Sequence, residues 1–367
     1  MAKKSEQLPA EDTIEEVAPD VLRLQLPANF TGLGHVNMYT LVDERGIAVV
    51  DPGLPGKEYW NWIPRRLQAA GFSVSDIHTV VITHSHPDHF GGAGRLAEEA
   101  DADIVTHAVF RLPWEDEPDL AVLASPDNPD AEEEPGHHGH PATDRSAART
   151  TSWRRPRWNR PTPWGTKNVK PPMRQRLRIT SLRWFQRRYF LLPVPTRRML
   201  EGEVIRLARR DWFAVHTPGH TPDHLCLWDP AERVMISGDH VLPSITPHIN
   251  GMGAGQDPLD EFVKSLDRVA AYDAQVVLPA HGVPFHDLTG RVEAIKSHHV
   301  KRLEQVAEIS KALGPASVEE FSHELFPRRH WGMMAESETF AHLEHMVLEG
   351  DAERWTEHGT YVYRIAS

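Results

Sequence analysis

"TVVITHSHPDHFGGAG", residues 79–94, runs an apolar β-branched stretch into His84, His86, Asp88 and His89, four side chains of the kinds that bind metals within six positions. The run over 79–83 reads as a short strand buried on both faces, and the glycines that follow let the backbone turn tightly. Residues just past the end of a buried strand can be fanned toward one point while the sheet holds their base. The pattern recurs downstream: "FAVHTPGH" ends at His220, "VMISGD" at Asp239 and "VVLPAH" at His281. Four strand ends thus deliver His or Asp, and the loops at one end of an α/β sheet are where such sites are built.

Imidazole and carboxylate are the ligands of zinc or a related first-row divalent ion. One tetrahedral ion takes three protein ligands and a water, whereas seven groups suffice for two ions roughly 3.5–4 Å apart sharing a carboxylate. The opening stretch is therefore expected to supply part of a two-metal site.

Outward from it, the periodicity predicts an α/β layered fold. Strands are expected over 21–27, 36–43, 46–53, 77–83 and 102–107, with helices over 58–72 and 91–101. Residues 203–207, 211–216, 224–228, 233–237 and 275–282 continue the strands. The acidic stretch 112–144 contains no Lys or Arg, whereas 145–200 is basic and carries Trp153, Trp158, Trp164 and Trp184. This marks 111–198 as an insertion, partly irregular, with a helix near 176–191. Beyond 291, a long amphipathic helix, a second capped by Ser317, a third over 336–351 and a hairpin turning at His358-Gly359 follow the winged-helix order. The domain reading is 1–290 for the catalytic part and 291–367 for a winged-helix-like C-terminal subdomain.

The 367 residues suffice for a large core and a smaller partner, and the formal charge of −12 speaks against a general nucleic-acid binder. The C-terminal subdomain, with nine basic and thirteen acidic residues, is read as a packing or dimerisation element. A lone cysteine, Cys226 in "HLCLW", excludes a disulfide framework and is expected in the core. No apolar run approaches the roughly 20 residues of a membrane span and no secretory signal is evident, so a cytoplasmic, non-membrane protein is expected.

Taken together, "THSHPDH", "TPGHTPDH", "SGDH" and "PAHG" resemble the motif series of the metallo-β-lactamase-fold hydrolases, in order, over roughly 20–110 and 200–290. The resemblance implies a four-layered αββα sandwich with metals at one edge. It implies that His84, His86 and His220 hold one ion, that Asp88, His89 and His281 hold the other, and that Asp239 bridges them. The cofactors would be two divalent ions, zinc first, with manganese or iron as alternatives. A hydroxide between them would be the nucleophile, and Asp88 would orient it and pass a proton to the leaving group.

Within that family, Asp239 stands where the typical zinc β-lactamases carry cysteine, which disfavours penicillin cleavage. His86 stands where the di-iron flavoproteins carry glutamate. What remains resembles the glyoxalase II and acyl-thioesterase branch, so the expected reaction is hydrolysis of a thioester or ester of a small molecule. Lactone hydrolysis and metal-dependent RNA cleavage are the rivals, the latter through the basic, Trp-bearing insertion. A binding protein with a structural metal is the non-enzymatic alternative, disfavoured by so open a ligand set. His248 and His240 are candidates for the substrate pocket. His35 is read as a surface histidine, "HHGH" (137–140) as solvated loop, and His298 and His299 as lacking a clear partner.

Overall fold

Short apolar runs punctuated by turn residues fold into two large β-sheets whose central strands are buried on both faces, while edge strands such as β1 and β8 keep exposed polar positions. A computed structural model describes residues 3–30, 32–112, 161–166, 173–174, 176–177, 189–252 and 257–366. Most of the expected insertion, including 137–140, Trp153, Trp158, Trp184 and residues 178–188 of the helix expected near 176–191, lies outside the described residues.

The first sheet has seven strands in sequence order: β1 (Ile14–Ala18), β2 (Val21–Phe30), β3 (Leu33–Asp43), β4 (Gly46–Val50), β5 (Ile77–Val81), β6 (Asp103–His107) and β7 (Arg197–Met199). The strands from β1 to β4 pair antiparallel, and those from β4 to β7 pair parallel. The described helices of its crossovers are α1 (Lys57–Trp60), α2 (Trp62–Ala69), α3 (Pro87–Phe90) and α4 (Ala93–Ala100). The single helix expected over 58–72 is interrupted at Asn61. Restarting there puts Pro64 in the first turn of α2, where its missing N–H has no helical partner to lose. The third helix of this group, α3, was not anticipated, and β7 makes the end of the expected insertion part of the sheet.

The second sheet runs β12-β11-β10-β9-β8, formed by β8 (Val204–Leu207), β9 (Arg210–His216), β10 (Leu225–Asp229), β11 (Val234–Gly238) and β12 (Val276–Pro279). Its one parallel pair, β11 with β12, is bridged by α5 (Pro258–Ala270). Tyr39, Leu41 and Val50 of the first sheet meet Trp212, Leu225 and Ile236 of the second in a dry layer between them. The outer face of the first sheet is covered by Trp60, Ile63, Leu67 and Leu96, and that of the second by Leu259, Phe262, Leu266 and Val292. The result is the expected four-layered αββα sandwich. At one edge β3 ties the sheets together: Tyr39 Oη and Asn37 Nδ2 donate to the Pro279 carbonyl at 2.7 and 2.8 Å.

The C-terminal elements are α6 (Leu288–Leu313), β13 (Ala316–Ser317), α7 (Val318–Leu325), α8 (Met333–Glu349), β14 (Ala352–Glu357) and β15 (Thr360–Ile365), with a three-stranded sheet ordered β13-β15-β14. Ser317 caps α7 with the reciprocal Glu320 partner, and His358 and Gly359 both adopt the positive φ that a tight hairpin turn demands. Trp164, from the expected insertion, is fully buried in this C-terminal core, tilted against Phe340 at 5.1 Å. Its indole N–H donates to Glu336 at 2.9 Å. It is therefore not a surface available for base stacking.

His345 on α8 lies 2.8 Å from Asp257, the residue that caps α5. The hydrogen bond to Asp257 raises His345 above its usual 6.5, helped by Asp260 and Glu349. Burial would raise Asp257, but the bond to His345, its charge and the backbone N–H groups of Asp260 and Leu259 together outweigh it and hold the carboxyl below 3.8. The imidazole's contribution is full below about pH 6.5 and lost as pH rises through its raised value; the carboxylate's is full above about pH 3.8 and lost as pH falls. His345→Gln should therefore destabilise the chain by about 1 kcal/mol at pH 5.5 and by less at pH 8.5. Chemical denaturation at the two pH values checks this, and an equal loss at both would refute the pairing.

Candidate metal centre

The described strand ends that carry ligand-type residues share one edge of the sandwich. The chain leaves β5 into His84, His86 and the short α3, which carries Asp88 and His89. It leaves β9 toward His220, β11 into Asp239, and β12 toward His281. Two glycines make the close approaches possible. Gly219 holds φ +126°, and a Cβ there would lie 2.3 Å from the Phe262 Cβ on α5. A Cβ on Gly91 would lie 2.1 Å from the Pro55 nitrogen. Neither position can accept a side chain without moving backbone, so both turns are fixed against their neighbours.

The seven expected metal residues converge in two groups. Ligand-type atoms of His84, His86, His220 and Asp239 lie within 4.8 Å of one another, and so do those of Asp88, His89 and His281. His86 Nδ1 is 2.9 Å from His84 Nε2 and 3.2 Å from His220 Nε2. Asp239 joins the groups, with carboxylate oxygens 3.7 Å from His220 Nε2, 3.5 Å from His89 Nε2 and 3.4 Å from His281 Nε2. Asp88 Oδ2 is 3.7 Å from His89 Nε2 and 3.5 Å from His281 Nε2.

The hydrogen bonds behind these atoms test whether a cation fits. His220 donates Nδ1–H to the His248 carbonyl at 2.6 Å, His281 to the His35 carbonyl at 2.6 Å, and His89 to Asp51 at 2.8 Å. Thr83 Oγ1 donates to Asp51 at 2.7 Å, so at 3.0 Å it accepts from His84 Nδ1–H. With those Nδ1 atoms protonated, His84 and His220 both aim Nε2 lone pairs at His86 Nδ1, which has at most one proton to offer. Among the described residues, buried His89 Nε2, His281 Nε2 and Asp239 Oδ1 find no hydrogen-bond partner. Crowded lone pairs and orphaned buried ligand atoms, each imidazole except His86 oriented from behind, fit divalent cations.

The electrostatics agree. Burial and the neighbouring imidazoles push His84 and His86 well below 6.5, and burial takes His220 down to about 4. These three offer neutral nitrogen at physiological pH. Burial also opposes charge on His89 and His281, but the carboxylates around them outweigh it and raise both. The same attraction outweighs burial at Asp239 and holds its carboxyl well below 3.8. To ligate a cation, His89 and His281 would have to give up their Nε2 protons to solvent.

Other candidates fall out differently. His248 is half-buried beside the first group, whereas His240 has no exposed surface and packs against Phe262 and His224. His35, expected at the surface, is buried: Nδ1 donates to the Leu8 carbonyl, and Nε2 accepts the Gly282 N–H at 3.0 Å. His299, expected to lack a partner, is buried with Nδ1 3.1 Å from His342 Nε2. Cys226 is buried in the core as expected, and burial pushes its thiol up to about 12. Among the described residues, no helix is long and apolar enough to cross a membrane.

Three contributors carried no assignment from sequence. Asp51 directly follows β4, the strand beside β5, and holds two ligands, one directly and one through Thr83. His224, inside the quoted "TPGHTPDH", accepts the Asp239 N–H at 3.0 Å. Glu338 reaches His248 from the C-terminal elements. The first was readable as a carboxylate at a parallel strand end, and the second as the last residue of the motif; the third left no local signal.

Known proteins align with this architecture. A family profile described as the metallo-beta-lactamase superfamily matches residues 31–281. The chain is 22% identical over 357 residues to the probable metallo-hydrolase YqjP of Bacillus subtilis, spanning 94% of this chain and 98% of that one. An atrochrysone carboxyl ACP thioesterase of Cryptosporiopsis is 29% identical over 106 residues, covering 29% of this chain and 31% of that protein. A metallo-beta-lactamase family protein of Thermus thermophilus superposes with TM-score 0.69 at 25% identity, covering 95% of this chain and all of the other. A beta-lactamase domain protein of Burkholderia ambifaria gives TM-score 0.68 at 26% identity, over 97% and 96% of the two chains. With the profile running from β3 to the end of β12 and taking in the strand ends that bear the histidines, the chain belongs to the metallo-beta-lactamase superfamily.

Proposed function

We propose that this hydrolase uses two divalent ions to cleave a thioester or ester bond. His84, His86 and His220 would hold one ion and Asp88, His89 and His281 the other, with Asp239 placed between the two groups. The observation that carries this reading is Asp239 itself, a buried carboxylate between the two imidazole groups with an oxygen within 3.7 Å of a nitrogen in each. When bound, the ions supply Lewis acidity: water activated at neutral pH and polarisation of the bond under attack.

The chain's own residues do the rest. Asp88, buried in the second group, positions the attacking water and carries a proton to the leaving group. An alkoxide leaving group needs that proton, whereas a thiolate, far less basic, departs more readily and takes it up afterwards. The fixed imidazoles keep their geometry through the reaction because their far nitrogens are held by Asp51, Thr83 and two backbone carbonyls. The ACP thioesterase name of the fungal relative supports the bond class over the part of the chain it matches. Zinc is the proposed metal. The C-terminal elements are read as a winged-helix-like subdomain, 291–367, packed on a catalytic part, 1–290.

The test is hydrolysis of an acyl-CoA, S-lactoylglutathione, an acyl-homoserine lactone and a single-stranded RNA by the metal-loaded protein, beside a chelator-treated control. Thioester turnover that chelation abolishes is the expected result. Cleavage of RNA alone would overturn the thioester or ester assignment, and two-metal chemistry fails if the loaded protein holds fewer than two ions.

A further inference from the structure

The residues between Asp239 and Met252 form neither helix nor strand, yet they include the carbonyl that orients His220. Their shape is set from outside. Glu6 accepts the backbone N–H groups of Ser244 and Ile245 at 2.7 and 3.0 Å, and Arg291 donates to the carbonyls of Leu242 and Ile245 at 2.5 and 2.6 Å. These contacts grip the first half of the strap. The half nearer His248 is gripped by consecutive residues of α8: Ser337 Oγ accepts the Gly251 N–H at 3.0 Å, and Glu338 Oε2 lies 3.4 Å from His248 Nδ1. The approach is close, since a Cβ on Gly251 would sit 2.4 Å from the Ser337 carbonyl.

Glu338 is itself braced. Arg302 of α6 brings a guanidinium nitrogen to 3.9 Å of its other oxygen, and His342 donates to its backbone carbonyl at 2.7 Å. Burial opposes ionisation, but His248, His342 and Arg302 outweigh it and hold the carboxyl at about 2. A charged, half-buried carboxylate with one oxygen toward Arg302 and the other toward His248 is a fixed anchor.

We propose that Glu338 is a positioning residue for the His84, His86, His220 and Asp239 group, acting through His248 on the orientation of His220. The inference rests on the metal assignment above. Glu338 holds the His248 ring, the ring fixes the strap, and the strap's carbonyl holds His220 Nδ1–H so that Nε2 faces the ion. The C-terminal elements are then part of the centre, although they contribute none of its ligands.

The experiment is titration of the metal-stripped full chain with cobalt(II), in competition with a chelator, following the visible ligand-field bands. Wild type should fill two sites. Glu338→Ala should weaken one of them by about 10–100-fold and leave the other unchanged, with Glu338→Gln, which can still meet the imidazole, in between. Glu336→Ala is the control: it removes the Trp164 contact from the same helix without touching the strap, and should leave both sites unchanged. Equal affinities in Glu338→Ala and wild type would overturn the proposal alone, as would matching losses in Glu336→Ala. A wild type that takes up no cobalt would overturn the metal assignment and the proposal with it.

Discussion

Alanine at Asp51 is expected to produce the largest structural loss of any single substitution at this site. The carboxylate is 2% exposed and accepts from Thr83 N–H at 2.9 Å, Thr83 Oγ1 at 2.7 Å and His89 Nδ1 at 2.8 Å. It also occupies a left-handed backbone conformation, φ +56°, which aspartate tolerates better than alanine. Removing it strands three buried donors, at a cost of about 3–5 kcal/mol. The damage reaches both metal groups, because His89 is held directly and His84 through the Thr83 hydroxyl. Asp51→Ala should therefore melt well below wild type and bind both ions about 10–100-fold more weakly. Calorimetry and metal titration check this; a variant with unchanged melting, or with only the His89 side impaired, would show that Thr83 does not relay the contact.

Asp88→Asn is expected to cost the most activity. Asparagine keeps the volume but cannot accept and return a proton, and as a neutral amide it is a poor partner for a cation beside His89 and His281. Turnover of the thioester or ester substrate should fall by about 10²–10⁴. The metal-stripped chain should keep its fold but melt slightly below wild type, because the Asp88 charge is one of those that raise the buried His89 and His281. Turnover within about threefold of wild type would remove Asp88 from the proton-carrying role.

The site's ligand-type residues were legible because each sits just past an apolar run, so a strand and its cargo are read together. What buttresses them was less legible. Asp51 follows the run "GIAVV" in the same way, yet its task is to hold imidazoles, and no spacing to a second ligand flags it. His35 was misread because a histidine between glycine and valine carries no mark of the Leu8 and Gly282 backbone groups that bury it. Glu338 is further out of reach, since its partner is 90 residues away and depends on how α8 docks. The layered α/β arrangement followed from alternating strands and helices, and the four-layered sandwich from the resemblance that the motifs carry. The break at Asn61 and the short α3 did not, because both reflect local fits around a proline and a ligand turn.

Trp164 carries a consequence for the order in which the chain can fold. Its indole fills the centre of a core otherwise built from residues beyond 300, and its bond to Glu336 spans 172 positions. Closing a loop of that length is entropically slow, and no local contact can stand in for it. On the ribosome the tryptophan can meet these partners only once nearly the whole chain has emerged. A severed C-terminal fragment would carry an apolar hole where the ring belongs. The C-terminal unit is thus not a transferable cassette: it matures last, and it matures around a side chain that was synthesised long before it.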